Sequence, residues 1–323
     1  MVAGSFGVDN VLGLNDSFSL NLRHSEAGPG SARYSNGAGV NWNLPYGYWS
    51  FSVAVNGFGY KSIVQGQTNS FVTDGTSNSQ MLRVDRVMYR DQMRKWSLGA
   101  DITLKQTRNF IAGEKIDASS ADLTILNLGS NLTWLQGGAL WSLSAGVAAG
   151  LDGFAATRDD NSRPLGAPQA RFRKFSYGAS LLKSFEIGGI PFSWQSALTG
   201  QYSRDFLYGT EQIAIGNLYT VRGFRTTSLA GKSGVYLRND LGVPLPLRRV
   251  FGAGAPDGQI RPYLAYDLGS INDTGSLRGW AAGVGLSVGR TTLQVAYARP
   301  ISTPAFITPR ENGWLYASLA FSY

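Results

Sequence analysis

Apolar and polar residues alternate along most of the chain. The clearest case lies at residues 96–105, where every second residue is apolar and the residues between are small or polar. The apolar set is Trp96, Leu98, Ala100, Ile102 and Leu104, and the other set is Ser97, Gly99, Asp101, Thr103 and Lys105. Because successive side chains of a β-strand point to opposite faces, this pattern predicts strands with one apolar and one hydrated face. It recurs at 49–56, 192–202, 280–288 and 292–297.

The connections between the predicted strands alternate in length. Tight turns are expected at 45–48, 91–94, 136–138, 187–190 and 289–291, and longer polar stretches at 64–76, 109–120, 155–168, 205–232 and 300–311. Short turns at one end and long loops at the other are typical of transmembrane β-barrels. Counting the runs gives about fifteen strands, from Val2–Asp9 to Gly313–Tyr323, whereas a closed bacterial barrel has an even number. We therefore expect the first strand to be missing, unless two strands were merged or one was skipped in the count.

Composition favours a membrane barrel over a helical membrane protein. Charged residues make up 15% of the chain, and the mean hydropathy is -0.11. No stretch approaches the ~20 consecutive apolar residues that a spanning helix needs. Soluble β-sandwiches alternate as well. However, the apolar faces recur about ten residues at a time, and Trp49, Trp96, Trp134 and Trp280 stand near predicted strand ends, as in interfacial aromatic belts.

Charge and residue inventory limit the possible chemistry. The net charge is +8 and the pI is near 9.7, but Lys and Arg are scattered, so we interpret them as lumen and turn charges rather than a nucleic-acid surface. With no cysteine and one histidine, thiolate catalysis, histidine triads and Cys-ligated or multi-histidine metal sites lack their residues. No nucleotide-binding fingerprint occurs. We predict no enzyme activity, cofactor, metal or nucleic-acid partner.

Residues 205–232 form the longest predicted loop and contain Val221-Arg222-Gly223-Phe224. Upstream in the same loop stand Gly209-Thr210-Glu211-Gln212, Ile215-Gly216 and Tyr219-Thr220. Together they resemble the lid loop of two-partner secretion transporters (the TpsB family) in the Omp85 superfamily, which secrete filamentous haemagglutinins, haemolysins and contact-dependent toxins. Further similarity, at 13–16, 45–49, 89–92 and 171–174, extends over nearly the whole chain.

The resemblance implies an all-β fold, a transmembrane antiparallel β-barrel of the sixteen-strand type whose sixth loop folds into the lumen. It also implies an outer-membrane pore of a Gram-negative bacterium that translocates an unfolded exoprotein, carrying a TPS domain, without nucleotide. The other expected partners are outer-membrane lipid and, during biogenesis, the outer-membrane assembly machinery. The aromatic end of the chain, with Phe321 and Tyr323, is similar to the C-terminal signal that this machinery reads.

An inward-folded loop of about 28 residues needs fixed contacts to seal a pore, and a buried arginine needs an anionic partner. In the family, the aspartate of a Phe-x-Asp-x-Gly strand motif pairs with the loop arginine. This chain has Asp267 and Gly269 at the matching positions, and Ala265 where phenylalanine often stands. Strand alternation places Asp267 toward the lumen. Four further residues are expected to line the lumen: Asp101, Lys105, Arg238 and Asp240.

The start of the chain has neither the basic region nor the apolar core of a secretory signal. We therefore expect a mature or truncated piece. Family members also carry an N-terminal plug helix and two POTRA domains, for which residues 1–323 have no room, so we expect the barrel domain alone. The alternative functions are an Omp85-type assembly factor, which shares the lid motif, and a diffusion porin. An outer-membrane hydrolase lacks a catalytic set.

Overall fold

The computed structural model describes residues 2–26, 33–65, 70–160, 164, 166–308 and 311–322, and within them the protein is almost entirely β-strand. The first strands are β1 (Val2–Asp9), β2 (Ser17–Glu26), β3 (Tyr34–Tyr46), β4 (Trp49–Gln65), β5 (Ser70–Arg90), β6 (Arg94–Ile111), β7 (Glu114–Lys115), β8 (Ala121–Gln136), β9 (Ala139–Leu151) and β10 (Arg173–Ile187). The others are β11 (Ile190–Ser203), β12 (Ile213–Ile215), β13 (Leu229–Gly231), β14 (Gly234–Gly242), β15 (Leu245–Pro246), β16 (Gly258–Ile271), β17 (Gly275–Val288), β18 (Thr291–Ser302) and β19 (Trp314–Phe321). Short helical segments are α1 (Leu247–Phe251) and two 3-10 turns, Asp117–Ser119 and Gly209–Glu211.

Fifteen of the strands in the described part of the chain have eight residues or more, and the first fourteen of them each pair antiparallel with the next long strand. This agrees with the number counted from the sequence. The short strands β7 and β15 extend the ladders of β6 and β16, whereas β12 and β13 form a separate hairpin. The all-β antiparallel prediction is therefore confirmed.

The five predicted tight turns are present, each as a connection between paired strands. β3 ends at Tyr46 and β4 begins at Trp49, for example, with Gly47 at φ +59°. A two-residue hairpin needs a positive φ to match the twist of its strands, and glycine adopts it without a Cβ clash. The prediction of a loop at 64–76 was wrong for residues 64–65 and 70–76, because β4 extends to Gln65 and β5 begins at Ser70. Residues 70–76 lie in the ladder between β4 and β5, in which Asp74 is paired with Lys61 of β4, and residues 66–69 lie outside the described residues.

The two faces of the sheet differ as the alternation predicts. In β16, Leu264, Tyr266 and Leu268 are 63%, 42% and 37% exposed, whereas Ala265 is 7% exposed and Asp267 is fully buried. The apolar face is thus the outer surface. Among the described residues, no helix has the length and apolar character required to cross a membrane.

The inner face surrounds a segment of the chain itself, residues 204–233, which connects β11 to β14 and is called the lid below. The lid contacts Lys105 of β6, Lys174 of β10, Asp240 of β14 and Asp267 of β16. In a flat sheet, β6 and β16 would be about 29 Å apart, since six strand spacings of about 4.8 Å separate them. Because the lid contacts four strands that would lie so far apart in a flat sheet, the sheet must curve around the lid.

Candidate functional site

The lid is a β-hairpin with a long tip. Its two arms are β12 and β13, in which Ile213 pairs with Gly231 and Ile215 pairs with Leu229. Ile213 and Ile215 are buried, whereas Ala214 between them is exposed, so period-two alternation also orients this short hairpin. The tip carries Val221-Arg222-Gly223-Phe224 against the inner wall.

An apolar cluster holds the tip and arms of the lid, and is called the tip cluster. Its members are Ile213, Ile215, Val221, Phe224, Leu229, Ile271 and Leu277. The last two belong to the wall strands β16 and β17. Val221 and Phe224 are fully buried. Burying a side chain of this kind contributes about 1.5–3 kcal/mol relative to exposure, so the cluster favours the inward position of the lid.

Arg222 binds Asp267 through two parallel hydrogen bonds. Its Nε lies 2.6 Å from Oδ2 and its Nη2 lies 2.7 Å from Oδ1, while its backbone N–H also donates to Oδ2 at 3.0 Å. Nη1 donates to Oδ1 of Asp240 at 2.6 Å. Asp267 is fully buried and the Arg222 side chain is 4% exposed. Only the planar guanidinium offers donors in this forked arrangement, so lysine could not reproduce it.

A second arginine, Arg238 of β14, also contacts the lid near its tip. Arg238 stands directly opposite Asp267 in the ladder between β14 and β16, and its Nη1 donates to the backbone carbonyl of Tyr219 at 2.8 Å. Arg238 therefore holds the lid through a backbone carbonyl, whereas Arg222 alone forms ion pairs with Asp240 and Asp267 in the described part of the chain. Buried charges persist only when they are paired and hydrogen-bonded, and Arg222 with Asp267 and Asp240 meets that condition.

Three glycines let the tip lie directly against the wall. Gly223 has φ +101°, and a Cβ there would lie 2.5 Å from the carbonyl carbon of Arg299. A Cβ at Gly279 of β17 would overlap the carbonyl oxygen of Arg222. At Gly269 it would lie 3.0 Å from a methyl group of Val221. The tip is therefore fitted to the wall by backbone contact as well as by charge.

Glu311, in the connection between β18 and β19, binds the part of the lid that directly follows the tip. Its carboxylate accepts the backbone N–H groups of Arg225 at 2.7 Å, Thr226 at 3.1 Å and Thr227. Burial alone would raise the pKa of Glu311, but the hydrogen bonds from Thr227 and the neighbouring amides outweigh it and lower that pKa below its ordinary value. Glu311 therefore binds the lid in its ionised form.

The structure brings most of the predicted site residues together around the lid. Val221, Arg222, Gly223 and Phe224 meet Asp267 and Gly269, and Lys105, Arg238 and Asp240 each contact the lid as well. Asp101 instead lies in a separate wall network with Arg83 and Asn127. Phe321 ends β19 and is exposed, and Tyr323 lies outside the described residues. No described group of three or more His, Cys, Asp or Glu side chains could hold a metal ion.

Sequence reasoning missed two acidic residues that contact the lid or belong to it. Glu211 stands in a motif noted for its resemblance, but no role was predicted for it. Glu311 carries no local signal, because it is one acid in a polar connection and its partners are backbone amides 84 to 86 residues away. Asp240 was expected only to line the lumen, and it also binds Arg222.

The chain is similar in sequence to proteins of a known family. Residues 2–292 match the family described as haemolysin secretion/activation protein ShlB/FhaC/HecB. The chain is 27% identical over 289 residues to the haemolysin transporter protein HpmB of Proteus mirabilis, covering 90% of this chain and 50% of that protein. It is 32% identical over 247 residues to the outer membrane transporter CdiB-2 of Burkholderia pseudomallei, covering 75% and 41% respectively.

The chain is also similar in fold to solved structures of outer-membrane proteins. CdiB from Escherichia coli superposes with a TM-score of 0.89 at 25% identity, covering 99% of this chain and 59% of that one. BamA from Haemophilus ducreyi lacking POTRA domains 1-3 superposes with a TM-score of 0.60 at 13% identity, covering 98% and 67%, which shows a shared fold alone. The chain spans about half the length of the curated relatives it matches. By the family match over 2–292, this β-barrel of the bacterial outer membrane belongs to the ShlB/FhaC/HecB haemolysin secretion/activation family.

Proposed function

We propose that the chain is the pore of a two-partner secretion transporter, which moves an unfolded exoprotein with a TPS domain to the cell surface without nucleotide. The observation that carries this proposal is the lid, held inside the barrel by Arg222 on Asp267. A simple diffusion porin has no need of a buried ion pair that fixes a segment across its lumen. The names of the relatives, haemolysin transporter and outer membrane transporter, support the same class of function.

The lid acts as a reversible seal in this proposal. Moving it must separate a buried arginine from its carboxylates and expose the tip cluster. Leaving a buried charge without its partner costs about 3–5 kcal/mol, so the open state would be populated roughly one time in a hundred or less without cargo. An arriving exoprotein would have to supply that energy through its own contacts. The pore would therefore be closed at rest and open only when used.

The remaining lumen wall suits the passage of an extended polypeptide. Arg83, Asp101 and Asn127 form hydrogen bonds along the wall away from the lid, and the surface there is polar with charges of both signs. Such a surface offers an unfolded chain no large apolar patch on which to stick. In this function the outer face contacts lipid, the end of β19 serves the assembly machinery, and the protein performs no catalysis.

An Omp85-type assembly factor is the second candidate. The fold shared with BamA and the resemblance of the lid motif favour it. The identity of 25–32% to transporters over most of the chain, against 13% to BamA, makes secretion the better supported function.

Secretion by the whole transporter that contains this chain tests the proposal. Arg222→Lys and Asp267→Asn should reduce secretion of the exoprotein at least about tenfold, because the lid loses its fixed position, while the amount of folded protein in the outer membrane stays near that of the unchanged protein. Arg83→Lys is the matched control, since Arg83 also forms two hydrogen bonds with one carboxylate, that of Asp85, but does not touch the lid. Normal secretion by both lid variants would contradict the proposal.

A further inference from the structure

The beginning of the lid has an ion-pair arrangement of its own, centred on Glu211. Its carboxylate is almost fully buried, with 5% exposure. Oε1 binds the ammonium group of Lys105 in β6 at 2.5 Å, and Oε2 binds that of Lys174 in β10 at 2.7 Å. Each oxygen thus has one lysine partner, so the carboxylate joins two strands that are three positions apart in the ladder order.

Backbone hydrogen bonds reinforce the same attachment. The carbonyl oxygen of Glu211 accepts from the side chain of Gln201 in β11 at 2.9 Å and from Lys174 at 3.3 Å. The carbonyl of Thr210 accepts from Lys105 at 3.5 Å. Three strands of the wall therefore hold one short segment of the lid.

The same part of the lid also has a separate apolar attachment, called the stem cluster. Its members are Ala121, Leu123, Ile125, Ala148, Ala170, Phe172, Leu207 and Tyr208. Leu207 and Tyr208 come from the lid and are 1% and 3% exposed. The stem cluster shares no residue with the tip cluster. The two ends of the lid are thus packed independently.

The charges at the two attachments are reversed. At the tip, one lid arginine faces two wall carboxylates, whereas at the stem one lid carboxylate faces two wall lysines. Removing the charge of Glu211 would leave two ammonium groups facing each other with no anion between them. Like charges at that distance repel, so the loss of Glu211 acts on the lid locally and strongly.

We propose that Glu211 is a second positioning residue of the lid, which holds the stem on β6 and β10 independently of Arg222, so that the lid is released in two steps and not as one rigid body. Its importance for secretion rests on the function proposed above. The attachment itself does not, because it can be measured without transport.

Thiol labelling distinguishes the two steps, and the chain suits it because it contains no cysteine. Leu207→Cys reports on the stem cluster and Val221→Cys on the tip cluster, each measured by its rate of reaction with a maleimide in the folded protein. Adding Glu211→Gln should speed the reaction at position 207 about tenfold or more and leave position 221 within about twofold, because only the stem loses its ion pairs. Adding Asp267→Asn should give the reverse pattern.

Two controls isolate the ion pairs from general loosening. Asp85→Asn removes a partner of Arg83 at 2.7 Å, outside the lid and outside both clusters, and should change neither rate. Adding Lys105→Gln to Glu211→Gln should increase the rate at position 207 by less than the product of the two single effects, since both changes remove one interaction.

Equal acceleration at both positions by Glu211→Gln would overturn the proposal, because it would show one rigid lid. An unchanged rate at position 207 would overturn it as well. Failure of the secretion experiment would contradict the transporter function but would not affect the labelling result. Failure of the proposed function can therefore be distinguished from failure of the proposed role of Glu211.

Discussion

Arg222 and Asp267 are 45 residues apart in sequence and share two parallel hydrogen bonds, of 2.6 and 2.7 Å, inside the barrel. The carboxylate of Asp267 is fully buried, and a third bond from the Arg222 backbone fixes the main chain of the lid as well as its side chain. The pair therefore determines where the tip lies on the wall. The contacts made by Gly223, Phe224 and Asp240 depend on that placement.

Steric blockage should release the tip without a change of charge. Gly279→Ala places a methyl group where the carbonyl oxygen of Arg222 now lies, so the tip must move away from β17. Overpacking of this kind costs about 1–3 kcal/mol, and we expect the maleimide reaction at Val221→Cys to accelerate accordingly. Gly285→Ala is the control on the same strand and face, because its Cβ would lie 3.9 Å from the nearest backbone oxygen. Equal rates in the two variants would show that the wall contact does not position the tip.

The two carboxylates that bind Arg222 should differ in importance. Asp240 is 17% exposed and accepts one hydrogen bond from Arg222, whereas Asp267 is fully buried and accepts three. Asp240→Asn should therefore release the tip less than Asp267→Asn does. The rate of maleimide labelling at Val221→Cys measures the release of the tip in each variant. A larger increase in that rate from Asp240→Asn than from Asp267→Asn would be inconsistent with the geometry.

Truncating the buried aromatic side chain of the tip should also weaken the seal. Phe224→Ala removes a fully buried ring from the tip cluster, and such changes cost about 3–5 kcal/mol. We expect a protease to cleave the lid faster in this variant while the barrel strands stay intact. Phe306→Ala, in an exposed loop position, is the matched change and should leave cleavage of the lid unaltered.

Acid should loosen the contact between Glu311 and the lid. The pKa of Glu311 is lowered in the folded protein, so its contribution to stability is present above the ordinary value of 4.5 and is lost as the pH falls through the lowered folded value. From neutral pH down to 4.5 this contact should not change, and below that the lid should open more readily. The maleimide reaction rate of Thr226→Cys, divided at each pH by the rate of the same cysteine in the denatured protein, measures the effect, because the fall in thiolate content with acid cancels in that ratio. In Glu311→Gln this normalised rate should not rise below pH 4.5 as it does in the unchanged protein, and an identical pH profile of the normalised rate in both proteins would count against the assignment.

The correct parts of the sequence prediction rest on local patterns, above all on the alternation of apolar and polar residues. The inward position of Asp267 follows from a period of two along one strand, and the tight turns follow from glycine and polar pairs between apolar runs. These signals need no knowledge of distant residues. The outer face, the turns and the number of long strands could therefore be predicted from the sequence.

Contacts that depend on the path of the lid could not be predicted in this way. Glu311 binds backbone amides, which every residue type except proline offers, so no sequence pattern identifies its partners. Glu211 meets Lys105 and Lys174 only because the sheet curves around the lid. Residues 64–65 and 70–76 were misread as parts of a loop because the polar composition of this stretch resembles that of a connection, although they lie in paired strands.

The most direct test of a sealed pore is the conductance of the purified protein in a planar lipid bilayer. The unchanged protein should show low conductance with brief openings, and Asp267→Asn should show sustained openings. Asp101→Asn, which removes another buried carboxylate of the lumen wall that does not touch the lid, should behave like the unchanged protein. A steadily open unchanged protein, with no difference in Asp267→Asn, would contradict the role of the Arg222–Asp267 pair as the closure of the pore.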